Sequence, residues 1–217
     1  MQPAFAAHLI EQLELADQLL AGREIMIEPQ DLPGRYGRVV RAIDRVLQAC
    51  NIGAVLGGGW AVWRHGFVGR VTQDLDVVLP QERIDEFIRT ASVAGFDALP
   101  SRPGRWPKLL HRDTQVQVDI LPEGGRPGTA AKLAPTTIPH PDKMGAQPGR
   151  LRYMEFPSLI VLKLAAGRVR ADADITELLR VNPDKISGLR EFVASVHADY
   201  AAKFDALSLR AKEQIDQ

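Results

Sequence analysis

Apolar residues recur along this chain at two spacings, one helical and one strand-like. Phe5, Leu9, Leu13, Ala16 and Leu20 return at helical intervals with acids and glutamines between them, which predicts an amphipathic N-terminal helix. "DLPGRYG" breaks it, and Val39, Val40, Ile43, Val46 and Leu47 then mark a second helix with arginines on its other side. "IGAVLGGG" reads as a short buried strand running into a glycine turn, and a short helix follows from Trp60 to His65. Next come a strand in "DLDVVLP", a helix in "QERIDEFIRTASVAG" and a strictly alternating strand in "TQVQVDILP".

Helices and strands thus alternate, which predicts an α/β (α+β) fold around a small mixed sheet. From Leu121 to Arg150 the chain carries Pro122, Pro127, Pro135, Pro139, Pro141 and Pro148 with several glycines, so little regular structure is expected there. Beyond it, "FPSLIVLKLAAGR", "DITELLR" and "LREFVASVHADYAAKF" are helical by spacing. The chain divides into an N-terminal helical segment (1–32), a core (33–122), a Pro/Gly-rich loop or boundary (123–150) and a C-terminal helical region (151–217).

Composition narrows this little. The 217 residues are 45% hydrophobic and 25% charged, as in ordinary globular proteins. Lys+Arg and Asp+Glu balance at 27 each, so bulk charge does not favour tight non-specific nucleic-acid binding. Arg35, Arg38, Arg41, Arg64 and Arg70 do follow a mostly acidic first segment, leaving room for a local basic face. Cys50 stands alone, which excludes an intrachain disulfide and suits a reducing interior. Glu11, Glu14 and Asp17 interrupt the N-terminal leucines, and no apolar run approaches the ~20 residues of a membrane span. A cytoplasmic protein that does not engage the membrane is expected.

The chemistry concentrates in "LGGGWAVWRHGFVGRVTQDLDVVL". Residues two apart on a strand share a face, so Asp74 and Asp76 project together while Leu75 and Val77 point into the core. On the later strand Val116, Val118 and Ile120 share one face, and Gln115, Gln117 and Asp119 the other. If the two strands pair, Asp119 completes a cluster of carboxylates. Such hard oxygen ligands, without His or Cys companions, suit Mg²⁺ or Mn²⁺ better than zinc. Gly57, Gly58 and Gly59 would let a triphosphate approach the backbone where a helix begins. An Asp-x-Asp or a glycine triplet alone is common and means little. Their order carries the inference: glycines, helix, Arg70, Thr72, Asp74, Asp76, then Asp119 within a strand.

Gly58-Gly59, Ala61, Gly66, Arg70, Thr72, Asp74 and Asp76, followed by Asp119, resemble the nucleotidyltransferase superfamily that includes DNA polymerase β, and especially its minimal and type IV toxin-like (abortive-infection) members. The likeness covers Val55 to Leu121, and "FPSLIVLKLAAGRVRADADITELL" resembles the C-terminal helical segment of the toxin-like proteins. It implies a small mixed-sheet nucleotidyltransferase core with helices on one side and a C-terminal helical half. Asp74 and Asp76 would be ligands of both catalytic metals, with Asp119 the third metal-binding carboxylate beside the attacking group. Gly58, Gly59, Arg70, Thr72 and Lys163 would bind the nucleotide, and Asp174 would position Lys163 or a helix. Two positions depart from the pattern. Gly59 replaces the serine of many members, and Ala171 stands where an Asp is expected, with Asp172 one place later.

The implied reaction is metal-dependent transfer of an NMP from an NTP to an acceptor hydroxyl with release of pyrophosphate. The main expectation is a toxin-like enzyme acting on tRNA or protein, with an antitoxin protein as candidate partner. The alternatives are a small-molecule, antibiotic-type nucleotidyltransferase, or a non-catalytic module binding a nucleotide or a partner. Plainer readings stand beside the residues: Lys163 as a snorkelling lysine, Arg70 as a surface helix-end charge, and Trp60 and Trp63 as core packing. His65 is expected to meet a helix C-terminal dipole. The basic stretch "SRPGRWPKLLHRD" reads either as a solvated hairpin or as a contact for a nucleic-acid backbone or nucleotide.

Overall fold

Alternating runs in β2 (Asp74–Leu79) and β5 (Gln117–Pro122) form the centre of a mixed sheet that also holds the short strands β1 (Ala54–Leu56), β3 (Phe96–Ala98) and β4 (Lys108–His111). A hairpin of β6 (Gly128–Thr129) and β7 (Lys132–Leu133) stands apart, and β8 (Leu151–Tyr153) closes the main sheet in the order β3-β4-β5-β2-β1-β8. The chain is seen in a computed structural model that describes residues 9–17, 28–68, 70–100, 104–129 and 131–215. β2 pairs with β5, and β1 with β8, in parallel; the other pairs of the main sheet are antiparallel.

The helices are α1 (residues 9–17), α2 (Gly34–Cys50), α3 (Gly58–Arg64), α4 (Ile84–Val93), α5 (Phe156–Ala166), α6 (Val169–Val181), α7 (Ile186–Val196) and α8 (Ala198–Ile215). Alternation along β2 sends Leu75, Val77 and Leu79 into one core with Val39, Ile43 and Leu47 of α2 and Phe87 of α4. Val55 and Val78 enter a second core with Leu159, Ile160, Ile175, Leu178 and Phe204 of the C-terminal helices. Asp74 and Asp76 share the face of Val78, so the carboxylates look toward the C-terminal half. None of the described helices is long and apolar enough to cross a membrane.

Three features of the segments read as helical differ from that reading. In α1 the buried residues are Gln12, Leu15 and Ala16, while Leu13 is 56% exposed; Phe5 and Leu20 lie outside the described residues. Gln12 turns inward because its amide finds backbone partners. Leu151–Tyr153, at the start of the segment read as helical, is instead the edge strand beside β1. The helical stretch "LREFVASVHADYAAKF" is two helices, broken at His197, whose extended backbone lets its Nδ1 accept from Asp199 N–H.

The segment between α3 and β2 has no regular structure, so side chains serve its backbone. Trp63 Nε1 donates to Arg70 O at 2.7 Å and Trp60 Nε1 to Asp74 O at 3.1 Å. Arg170 donates to Val71 O, and Gln12 and Tyr36 both donate to Thr72 O. Trp60 and Trp63 are therefore core residues, as their spacing suggests, with their indole N–H groups directed at this segment. Replacing Trp63 by Phe keeps an aromatic ring and removes the donor to Arg70 O. The expected loss is about 1–3 kcal/mol, read as a lower urea midpoint at unchanged m-value; an unchanged midpoint would show that the carbonyl does not depend on the indole.

Candidate active site

Parallel pairing of β2 with β5 sets Asp76 opposite Asp119 and Asp74 opposite Gln117. Asp74 and Asp76 have no side-chain hydrogen bond or ion pair with any described residue. Burial, and then the negative charges of Asp74 and Asp119, push the Asp76 carboxyl up to about 7, against the opposing pull of Lys163 and Arg70. Asp119 is compensated differently: Lys108 Nζ lies 2.7 Å from its Oδ2 and Gln117 Nε2 donates to its Oδ1 at 2.5 Å.

Above the carboxylates lies the turn from β1 into α3. Gly57 N–H donates to Asp76 O at 2.8 Å, and Gly58 has φ +59. A Cβ on Gly58 would overlap Asp76 Oδ2 and stand 2.7 Å from its Cγ. A Cβ on Gly59 would overlap Arg70 Nη1 and Thr72 Oγ1 and stand 2.5 Å from Thr72 Cβ. The absence of serine at Gly59 thus has a steric cause: Thr72 and Arg70 fill the space beside that backbone. Thr72 is 3% exposed, and its hydroxyl has no hydrogen-bond partner among the described residues.

Cations converge from α5 and from the segment before β2. Lys163 of α5 is buried; its Nζ lies 2.6 Å from Asp174 Oδ2, and Arg70 Nε lies 2.7 Å from Asp174 Oδ1. Asp174 is a two-armed anchor joining α5, α6 and the segment before β2, in keeping with the positioning role the resemblance implies. Lys163 does not snorkel, and Arg70 is not a surface charge. Burial pulls the Lys163 ammonium below its usual range, with the nearby Asp174 carboxylate opposing the shift. Asp172 faces elsewhere, tying α6 to Lys203 of α8 at 2.5 Å.

Among the described residues, no three His, Cys, Asp or Glu side chains form a group placed to hold an ion. Lys108 has drawn Asp119 into an ion pair. The donor chemistry nonetheless fits a hard divalent cation: Asp74 and Asp76 offer oxygens on one face that no described side chain engages, and Asp76 is raised first by burial and then by its carboxylate neighbours. Lys108 is the site residue that sequence reasoning missed. It stands in the sequence among several basic residues of a Pro/Gly-punctuated stretch, and only the register of β4 on β5 sets it opposite Asp119. His65 also differs from expectation. Its ring is buried, with Nε2 2.9 Å from Met154 O, and burial lowers its pKa to about 4. It is therefore neutral at pH 7 and brings no cation to the helix end.

Comparison with known proteins finds one family whose profile matches part of the chain. The sequence profile of the aminoglycoside-2''-adenylyltransferase family matches residues 39–132, which include β1, α3, β2 and β5 but not Lys163 or Asp174. No curated protein sequence matches the chain closely enough to count as a relative. Two solved structures of the antibiotic-resistance factor ANT(2'')-Ia are similar. The crystal structure with adenylyl-2''-tobramycin has a TM-score of 0.44 and 17% identity, covering 82% of this chain and 97% of that one. The solution structure has a TM-score of 0.43 and 18% identity, covering 82% and 92%.

Two outcomes follow from the crowding of charge and backbone. Because folding raises the Asp76 pKa, it favours the protonated carboxyl. That contribution is complete below the ordinary value of 3.8 and is lost as pH rises through about 7. Asp76→Asn, neutral throughout, is expected to melt above the parent at pH 8, by roughly 2–4 °C for each kcal/mol relieved. Calorimetry should show the gap closing toward pH 4; a gap independent of pH would mean that the charge is not the cause. Gly59→Ser, which would restore the more common serine, is expected to cost about 1–3 kcal/mol from overpacking. Chemical denaturation reads this directly, and a stability equal to the parent's would remove the steric explanation.

Proposed function

We propose, on the premise that this chain belongs to the nucleotidyltransferase superfamily and is an enzyme of that kind, that it transfers an NMP from an NTP to a hydroxyl of a small, antibiotic-type molecule of the aminoglycoside class. The observation that carries the reading is the pairing of Asp76 with Asp119 beneath the Gly58-Gly59 turn. The profile match to aminoglycoside adenylyltransferases favours a small-molecule acceptor over the tRNA or protein acceptor of the toxin-like expectation.

In this reading the acceptor oxygen bonds to the α-phosphorus as the bond from that phosphorus to the oxygen bridging to the β-phosphate breaks, and pyrophosphate leaves. Asp119, partly exposed at the sheet surface, accepts the hydroxyl proton. Arg70 and Lys163, held by Asp174, offset the charge of the triphosphate, while Gly58 and Gly59 admit it against the backbone and Thr72 offers its unpaired hydroxyl. Asp74 and Asp76 would hold Mg²⁺ or Mn²⁺ together with Asp119, and such an ion, when bound, supplies Lewis-acid polarisation of phosphate oxygens. No side-chain nucleophile is required, since the acceptor provides the attacking oxygen.

The test supplies purified protein with Mg²⁺ or Mn²⁺, each α-labelled NTP, a panel of aminoglycosides and a cell extract separated into RNA, protein and small molecules. Label is expected on a small molecule, with kcat falling by about 10²-fold or more in Asp119→Asn. Label in RNA or protein would move the acceptor to that class. No label with any NTP in any fraction would overturn the reading.

A further inference from the structure

Gln12 lies sixty residues before Thr72 in sequence and pairs with it as one strand residue pairs with another. Its Oε1 accepts from Thr72 N–H at 2.8 Å, and its Nε2 donates to Thr72 O. The same Nε2 lies 3.4 Å from Tyr36 Oη, which itself donates to Thr72 O at 3.4 Å. Gln12 is 3% exposed, and burying an amide is costly unless its polar atoms are paired. On an amphipathic helix a leucine could fill that volume, but it would leave both backbone groups of Thr72 without this partner. Leu15 and Ala16 sink into the core beside Gln12, and Glu11 forms an ion pair with Arg35 at 2.8 Å, so the helix that carries the amide is docked independently of it.

Thr72 sits where position matters. One face of the residue is the orphaned hydroxyl against Gly59, and two residues back Arg70 reaches Asp174. The intervening backbone has no helix or sheet to hold it. We infer that Gln12 is a positioning residue for nucleotide binding: the N-terminal helix uses its amide to fix the Arg70–Thr72 segment in the conformation that receives the triphosphate. This rests on the roles proposed above for Arg70 and Thr72. The residues matched by the adenylyltransferase profile begin at 39, after Gln12, so the clamp is supplied by a part of the chain outside that match.

Gln12→Met keeps the length and bulk of the side chain and removes both hydrogen bonds to Thr72. Leu15→Ala, on the same helix, loosens its docking without touching Thr72. Steady-state kinetics would compare both with the parent at a temperature where circular dichroism shows all three folded. For Gln12→Met, KM for the NTP is expected to rise about tenfold or more with kcat changed less than about threefold, while Leu15→Ala stays within about twofold on both. If Gln12→Met shifts KM no more than Leu15→Ala in an active parent, the amide is a structural anchor only and the inference is overturned, with the function intact. A parent that neither transfers nor binds any nucleotide overturns the function proposed above, and this role with it.

Discussion

Two carboxylates facing each other across a parallel strand pair repel, and the rest of the site is arranged around that repulsion. Asp76 and Asp119 are fixed opposite one another by a register that also buries Leu75, Val77, Val118 and Ile120, so neither can move without shifting the core. The surroundings respond unequally. Lys108 reaches across from β4 to neutralise Asp119, whereas Asp76 has only the more distant influence of Lys163 and Arg70 and becomes a weaker acid than usual. Asp76 is left with carboxylate neighbours on both sides and no side-chain ion pair among the described residues, an arrangement that a divalent cation would neutralise.

The cations nearest Asp76 are themselves constrained by Asp174. A buried ammonium and a guanidinium sharing one carboxylate satisfy the requirement that buried charges be paired, and they tie the neighbouring helices α5 and α6 to a segment about a hundred residues earlier in the chain. The carboxylates come from the sheet, and their opposing charges from α5 (Lys163), the segment before β2 (Arg70) and β4 (Lys108), so the site lies where the sheet meets the helical half. The unstructured link before β2 belongs to the same seam. Its carbonyls are served by two tryptophans, an arginine, a tyrosine and a glutamine from four different helices.

Much of this was legible in the residue pattern, for physical reasons that also mark its limits. The carboxylates on β2 and β5 could be placed because strand alternation is strict and both strands have six residues. Gly58 and Gly59 stood out in the sequence as room for a phosphate, whereas the side chains that crowd them, Asp76 at Gly58 and Thr72 with Arg70 at Gly59, come from the far end of a loop and could not be read from it. β4 and β8, with four and three residues, are too short to display a period, and so the Lys108–Asp119 pair and the closing edge strand were hidden. Gln12 was hidden for the opposite reason. A polar residue in an amphipathic helix is assigned to the wet face, and only its tertiary backbone partners turn it inward. His65 does end α3, as its position implies, but its neutrality was hidden because its burial against Met154 and Phe156 depends on chain that follows much later.

The placement of β8 also bears on how the chain comes off the ribosome. β1 lies between β2 and β8, and its three residues are fully buried. β5 and β8 occupy opposite sides of the β2–β1 pair, so the proline-rich stretch must span about three strand spacings, roughly 14 Å, before the last strand can dock. Until Tyr153 has been synthesised, β1 is an open edge whose outward amides and carbonyls lack their strand partner. The carboxylate-bearing strands β2 and β5 precede the strand that seals their sheet, so the nascent core passes through a stage at which another chain could take the place reserved for β8.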